Sequence, residues 1–462
     1  MINLHPKARL VLLLAVVLAG CARPRVSERT LLQLYARQRK AAPPEVTIFI
    51  PGIMGTVLKD RFTGRIVWGR MWSGALDMLA LPIDAATGMV GQDHLVPIRL
   101  LDSFTWIGGL IEGDIYATTQ RVAEGAGFTR GDISDPHPGE NAYAFKYDWR
   151  RDFVEAAQSL GAAIERIKKA QGLPDLKVRL LCHSAGGLVA RYYVKYGTVD
   201  VLAQDPLPPP NYAGAANVSK VVMLGTPNAG SLEAFQHLHE GLTIPLVGKL
   251  SSKTLFTMPA SYELLPESGT SIFVDTAGKP LGVDLYDPAN WERYGWSVFA
   301  PQRLSKRYRQ WLRRSFRHGQ KDYDEEVAGR RKFLASALHR AEQFHRALRA
   351  GDPKEEKQRT QYIILGADCE PTLYRAVLDH KRNSWRTRFR SWRAATRRAI
   401  TTFGDGSVTK ESLLGFYYEK DDNPVPDWRL PGARAIFFCE SHFELAKNVT
   451  YLDNVLHTLL EE

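Results

Sequence analysis

Four cysteines are spread over the 462 residues, at Cys21, Cys182, Cys369 and Cys439. No two stand at metal-ligand spacing and the histidines do not cluster with them, which sets aside a zinc finger or ribbon; no metal or other cofactor is expected. Long apolar runs are scarce as well. The N-terminal one, from Leu10 to Leu18, is shorter than the roughly twenty residues a bilayer-spanning helix needs, so it reads as a targeting segment. No internal repeat or heptad stands out, which argues against solenoids and coiled coils. Acidic residues are outnumbered, since 61 Lys and Arg against 50 Asp and Glu leave a net charge of +11. What the chain does have, 44% hydrophobic residues over this length, is enough for one large core carrying an insertion.

The stretch Leu181-Cys182-His183-Ser184-Ala185-Gly186-Gly187 reads as a buried strand, a serine on a tight turn, and a helix opening on glycines. Such an elbow lifts the serine Oγ above a sheet and aims the amide of the next residue, Ala185, at a developing oxyanion. Cys182 stands where the usual G-x-S-x-G pattern has its first glycine, and a serine capping an ordinary helix would share much of this pattern. A second oxyanion donor is expected from Pro51-Gly52-Ile53-Met54-Gly55-Thr56, which follows the strand-like Val46-Thr47-Ile48-Phe49-Ile50; Ile53 is the first choice and Met54 the next.

A nucleophilic serine on this kind of turn finds an acid and then a histidine later in the chain. His442 follows the short apolar run Ala435-Ile436-Phe437-Phe438 and is the expected general base. Two acids compete to orient it, Asp405 on the glycine turn Gly404-Asp405-Gly406-Ser407-Val408 and Asp368 just past Tyr362-Ile363-Ile364-Leu365-Gly366. The residues alone leave that choice open. His183 is expected to pack beside the elbow, and His457 to lie on an amphipathic C-terminal helix.

Several blocks, in order, resemble the lecithin:cholesterol acyltransferase group, which includes lysosomal phospholipase A2 and phospholipid:diacylglycerol acyltransferases. They are Ile50 to Thr56, Tyr147-Asp148-Trp149-Arg150, Leu181 to Gly187, Gly225-Thr226-Pro227-Asn228-Ala229-Gly230-Ser231, Glu263-Leu264-Leu265-Pro266, Gly404 to Val408 and Ser441-His442-Phe443-Glu444. The resemblance implies an α/β-hydrolase fold with an inserted helical cap, a nucleophile at Ser184, Asp405 as the acid in preference to Asp368, His442 as the base, and acyl-ester substrates. No counterpart of the disulfide-closed lid loop of the animal members is evident, so sterol and lipoprotein recognition is not implied. In its place stands Trp68-Gly69-Arg70-Met71-Trp72; Trp68 and Trp72, with Met54, are acyl-pocket candidates, and half-buried surface aromatics are the alternative.

Lys7 and Arg9 precede the apolar run, which ends in Leu18-Ala19-Gly20-Cys21, a small-residue cleavage site with a cysteine after it. This is similar to a bacterial lipoprotein signal, in which residues 1–20 are removed, Cys21 is lipidated and residues 21–44 form a basic tether. Ala22 fits delivery to the outer membrane, facing the periplasm. Export would place Cys369 and Cys439 in an oxidising compartment; each follows a strand that should lie near the other in the sheet, so a disulfide between them is one reading and two unpaired thiols the other.

Strand-like runs at Val46–Ile50, Ala142–Phe145, Val178–Leu181, Val221–Leu224, Tyr362–Leu365 and Ala435–Phe438 alternate with helical stretches, of which Phe153–Ala170 is the clearest. That alternation predicts a mostly parallel sheet with helices on both faces, its core split into 45–230 and 359–462 around a cap at 231–358. Within 381–398, Trp385, Phe389 and Trp392 fall at i, i+4 and i+7 beside a row of arginines, which on a helix would make an interfacial face for an anionic membrane. The alternative is a solvated basic stretch whose aromatics pack on the core. No nucleic-acid partner is expected of an exported protein, and oligomeric state is not legible. Two function classes follow: a lipid acyl hydrolase or O-acyltransferase, with a carboxylesterase on soluble esters or polyesters behind it, and a non-catalytic lipid-binding envelope lipoprotein.

Overall fold

The computed structural model describes residues 45–69, 76–101, 104–106, 111–113, 124, 127–244, 247–267, 271–299, 320–381, 384–391, 393–416, 430, 433–442, 445 and 449–460. Seven strands form the central sheet: β1 (Thr47–Ile50), β2 (Arg130–Gly131), β3 (Ala142–Ala144), β4 (Val178–His183), β5 (Val218–Leu224), β6 (Gln361–Ala367) and β7 (Arg434–Phe438). Their order is β7-β6-β5-β4-β1-β3-β2, and every neighbouring pair runs parallel. Strands buried on both faces need apolar side chains throughout, which is why β4 to β6 read as continuous hydrophobic runs. The six expected strands are all present with ends moved by a few residues, and β2 is the one their alternation did not reveal.

Alternation along the strands divides the core in two. Ile48, Ile50, Leu180, Cys182, Val221 and Met223 face a large cluster that includes helix α1 (Phe153–Gln171) and helix α2 (Gly186–Tyr196). Leu181, Val222, Leu224, Ile363 and Leu365 face the other way, onto Tyr451, Leu452, Val455 and Leu456 of helix α5 (Val449–Leu460). Helix α1 begins where the Asp152 side chain accepts from the Val154 amide and ends at Gly172, whose left-handed backbone (φ 66°) turns the chain out. An all-parallel sheet with helices on both faces and a serine turn after a central strand is the α/β-hydrolase fold.

Between residues 231 and 359 the described chain is mainly helical, with helices α3 (Leu232–Glu240) and α4 (Gln320–Arg349) the longest pieces. The C-terminal half of α4 joins the helical layer of the sheet: Phe344 stacks on Tyr192 of α2, and Arg191 of α2 donates to the Leu348 carbonyl at 2.9 Å. Phe235 of α3, Phe273, Trp291, Trp296 and Phe389 form one contiguous aromatic cluster.

The helical face expected for residues 381–398 is not what forms. Ala376–Lys381 and Ser384–Arg388 are an antiparallel hairpin, with Asp379 opposite Arg386 and His380 opposite Trp385. Spacing i, i+4 also fits a strand, where every second residue shares a face. Trp385, Thr387 and Phe389 therefore point inward onto Tyr294, Trp296 and Phe235, while Arg386 and Arg390 are exposed. Trp392 lies outside the described residues.

Candidate active site

Ser184 directly follows β4 with φ 51°, a left-handed conformation that costs a non-glycine residue energy and persists only where the surroundings impose it. The surroundings here are tight. The Ser184 amide donates to the Leu224 carbonyl of β5 at 2.7 Å, and a Cβ on Gly186 would lie 2.4 Å from the Ile50 carbonyl oxygen and 2.8 Å from that of Pro51. Only glycine lets α2 start so close under the end of β1, and that close start produces the elbow.

His442 follows β7 and reaches the serine from the neighbouring end of the sheet. Its Nε2 is 3.1 Å from Ser184 Oγ, and its Nδ1 is 2.7 Å from Asp405 Oδ2. The second Asp405 oxygen accepts the Ser407 and Val408 amides at 3.0 and 2.7 Å, and the His442 amide donates to the Asp405 carbonyl at 2.8 Å. Each hydrogen bond fixes a different degree of freedom: the turn holds the carboxylate, and the carboxylate holds the imidazole with Nε2 toward the serine. All three side chains are buried. Burial works against a charged imidazole, yet the Asp405 carboxylate outweighs it and raises the His442 pKa above its ordinary value. Asp368, the competing acid, instead accepts from Lys410 Nζ at 2.6 Å. Asp405 is thus the acid that meets the histidine.

Gly225, to which the sequence pattern assigns no role, lies beneath this pair. Its φ is 59°, and a Cβ there would stand 3.0 Å from His442 Nδ1 and 3.3 Å from Asp405 Oδ2. His183, next to the serine, is buried with its ring 5.4 Å from that of His442. Burial, then the neighbouring His442, push its pKa down to about 3, so it stays neutral. Burial likewise holds the Cys182 thiol well above its usual range, which leaves that cysteine a packing residue.

The oxyanion candidates sit around the serine. A Cβ on Gly52 would meet Ser184 Cβ at 2.7 Å, so the loop after β1 packs directly on the elbow. Among the described residues the amides of Ile53, Met54 and Ala185 donate to no protein acceptor. Met54 is partly buried with φ 66°, and its carbonyl accepts from the Trp68 indole at 2.8 Å. Trp68 itself is fully buried, edge to face with Trp149 at 5.5 Å. Trp72 and Cys21 lie outside the described residues.

Cys369 and Cys439 are joined in a disulfide that ties the segments following β6 and β7, three residues before His442. Beside the acid turn opens a cleft of about 300 Å³ lined in part by Gly230, Ser231, Tyr374, Arg375, Thr409 and Glu411. The Ser231 hydroxyl at its edge donates to the Ser407 carbonyl at 2.5 Å. Among the described residues no cluster of His, Cys, Asp and Glu is arranged to hold a metal.

Residues 136–306 match the family model described as lecithin:cholesterol acyltransferase. No curated protein sequence matches the chain. Three solved structures resemble it weakly. They are the Tle4-Tli4 complex (15% identity, 91% of this chain and 99% of that one, TM-score 0.49), the mature lipase BlEst2 of Bacillus licheniformis (12%, 91% and 93%, TM-score 0.33), and the phospholipase PlaB of Legionella pneumophila (12%, 47% and 36%, TM-score 0.22).

Proposed function

We propose that this chain, whose residues 136–306 match the family model described as lecithin:cholesterol acyltransferase, is a serine-dependent lipid acyl hydrolase or O-acyltransferase working through an acyl-Ser184 intermediate. The observation that carries this reading is the continuous hydrogen-bonded line from Asp405 through His442 to Ser184 Oγ, 2.7 and 3.1 Å long. His442 removes the Ser184 proton as Oγ attacks the ester carbonyl; Asp405 holds the resulting imidazolium. The tetrahedral oxyanion is taken by the Ile53 and Ala185 amides, with Met54 the alternative to Ile53. Collapse breaks the ester C–O bond, and His442 returns the proton to the departing alcohol. A water or a second alcohol, deprotonated by His442, then attacks the acyl-serine; collapse breaks the acyl C–O bond to Ser184, His442 returns the proton to Oγ, and a fatty acid or a new ester leaves.

Phospholipid or another acyl lipid is the proposed substrate class, and the proposed setting is the bacterial cell envelope. Support for that setting comes from Cys21 after Leu18-Ala19-Gly20, which would carry a lipid anchor, and from the Cys369–Cys439 disulfide, which suits an oxidising compartment. The 231–358 segment is proposed to supply the lid. Exposed Arg386 and Arg390 are proposed to contact anionic headgroups; charge reversal at both that leaves vesicle binding unchanged would remove that part.

The test uses the purified mature protein and vesicles of acyl-labelled phospholipid, with and without a long-chain alcohol, alongside Ser184→Ala. Free fatty acid in wild type alone supports the hydrolase, and label diverted into a new ester supports the transferase. Neither product above the Ser184→Ala background refutes both, and soluble short-chain esters then distinguish an esterase from a binding protein.

A further inference from the structure

Three aromatic donors converge on one short loop. The Tyr147 hydroxyl donates to the Pro51 carbonyl at 2.9 Å, the Trp68 indole to the Met54 carbonyl at 2.8 Å, and the Trp149 indole to the Thr56 carbonyl at 3.0 Å. All three rings are buried, and Trp68 and Trp149 also meet edge to face. Their own positions are set from below: Arg150, fully buried, donates to Asp148 Oδ2 at 2.7 Å and to Asp93 Oδ2 at 2.6 Å. The carbonyl and amide of a trans peptide point in opposite directions, so a held carbonyl also aims the following N–H. Within the loop the Gly55 amide donates to the Gly52 carbonyl at 3.1 Å. That bond fixes the Gly52–Ile53 peptide, and so the direction of the Ile53 N–H, beside the glycine that packs against Ser184; the Gly55 N–H that makes it belongs to the peptide whose Met54 carbonyl Trp68 holds.

We propose that Tyr147, Trp149 and Trp68 are positioning residues that clamp loop 51–56 so that the Ile53 amide meets the oxyanion formed at Ser184, an inference that rests on the acyl-serine reading above. A solvent-held loop with Met54 at φ 66° would relax, and the donor would have to be reorganised at the moment charge develops. The clamp removes that reorganisation. It also gives Tyr147-Asp148-Trp149-Arg150 a part in the chemistry without touching substrate.

The test is Tyr147→Phe, which keeps the ring and removes one hydrogen bond, with Trp68→Phe as a second variant and Tyr262→Phe as control. Tyr262 is equally buried and donates to a carbonyl of its own neighbourhood, that of Phe256 at 2.9 Å. On a soluble p-nitrophenyl ester, Tyr147→Phe is expected to lose about tenfold to a hundredfold in kcat, a fraction of what deleting a whole oxyanion donor costs. KM should change by less than about threefold, since the loss falls on the transition state. Affinity for a trifluoromethyl ketone, which forms a tetrahedral adduct on the serine, should fall in proportion, while Tyr262→Phe keeps the wild-type kcat. A kcat for Tyr147→Phe and Trp68→Phe within about twofold of wild type overturns the clamp, as does an equal loss in Tyr262→Phe. A wild-type protein no faster than Ser184→Ala on any ester fails the acyl-serine reading instead, and the two failures are thereby told apart.

Discussion

Replacing Asp405 by Asn tests the electrostatic half of the site without removing its shape. The amide oxygen can still accept from Ser407 and Val408, as Oδ1 does now at 3.0 and 2.7 Å, so the turn should survive. The NH2 then faces His442 Nδ1 in place of the carboxylate 2.7 Å away. Two losses follow. A donor opposite Nδ1 forces the imidazole proton onto Nε2, where it cannot accept from Ser184. The imidazolium of the transition state also loses its counter-charge; with charge centres about 4 Å apart and an effective dielectric near 20, that attraction is about 4 kcal/mol. Such a loss corresponds to roughly a thousandfold in rate, and the wrong tautomer adds to it. Purified Asp405→Asn should therefore show kcat on a soluble ester lowered by about 10³ to 10⁴, with a thermal midpoint close to wild type. Asp368→Asn, whose carboxylate meets Lys410, should stay within a few-fold of wild type. An Asp405→Asn kcat within tenfold of wild type, or an equal loss in Asp368→Asn, would refute the reasoning.

Because Asp405 raises the His442 pKa and only the neutral imidazole can accept the serine proton, kcat/KM should decline as pH falls through an inflection above 6.5, and a pH profile of the wild type that titrates below that value would contradict it. Gly225→Ala places a methyl 3.0 Å from His442 Nδ1 and should lower kcat by about tenfold or more with little change in KM, read by steady-state kinetics. Gly186→Ala forces a methyl 2.4 Å from the Ile50 oxygen and should destabilise folding by roughly 1–3 kcal/mol, measured by urea unfolding. Joint replacement of Cys369 and Cys439 by Ser opens a loop of sequence separation 70 and should cost up to about 4 kcal/mol, seen as a lower melting temperature that reducing agent no longer affects.

The parts of this molecule that could be read from sequence are those where short-range sterics leave few options. Ser184 between a buried strand and Gly186-Gly187 has one geometry available when Gly186 must fit beneath the Ile50 and Pro51 carbonyls. The acid was harder. Asp368 follows a strand-like run and Asp405 sits on a glycine turn, and what separates them is the antiparallel pairing of Glu370–Leu373 with Thr401–Gly404 that carries Asp405 back to His442, a pairing between distant residues that local pattern does not contain. Segment 384–388 shows the opposite failure, since Trp385 and Phe389 satisfy the helical and the strand period together, and only pairing with Ala376–Lys381 decides. The ring-to-carbonyl bonds of Tyr147 and Trp149 likewise span more than ninety residues.

The central claim is that acyl transfer passes through Ser184. The measurement that tests it most directly is rapid quenching of the protein with acyl-labelled phospholipid vesicles, followed by mass-spectrometric mapping of the adduct. A transient acyl group on the peptide containing Ser184, absent in Ser184→Ala and longer lived in His442→Ala if it forms there at all, is the predicted result. Product released at the same rate by wild type and Ser184→Ala, or label mapped to any other residue, would contradict the account.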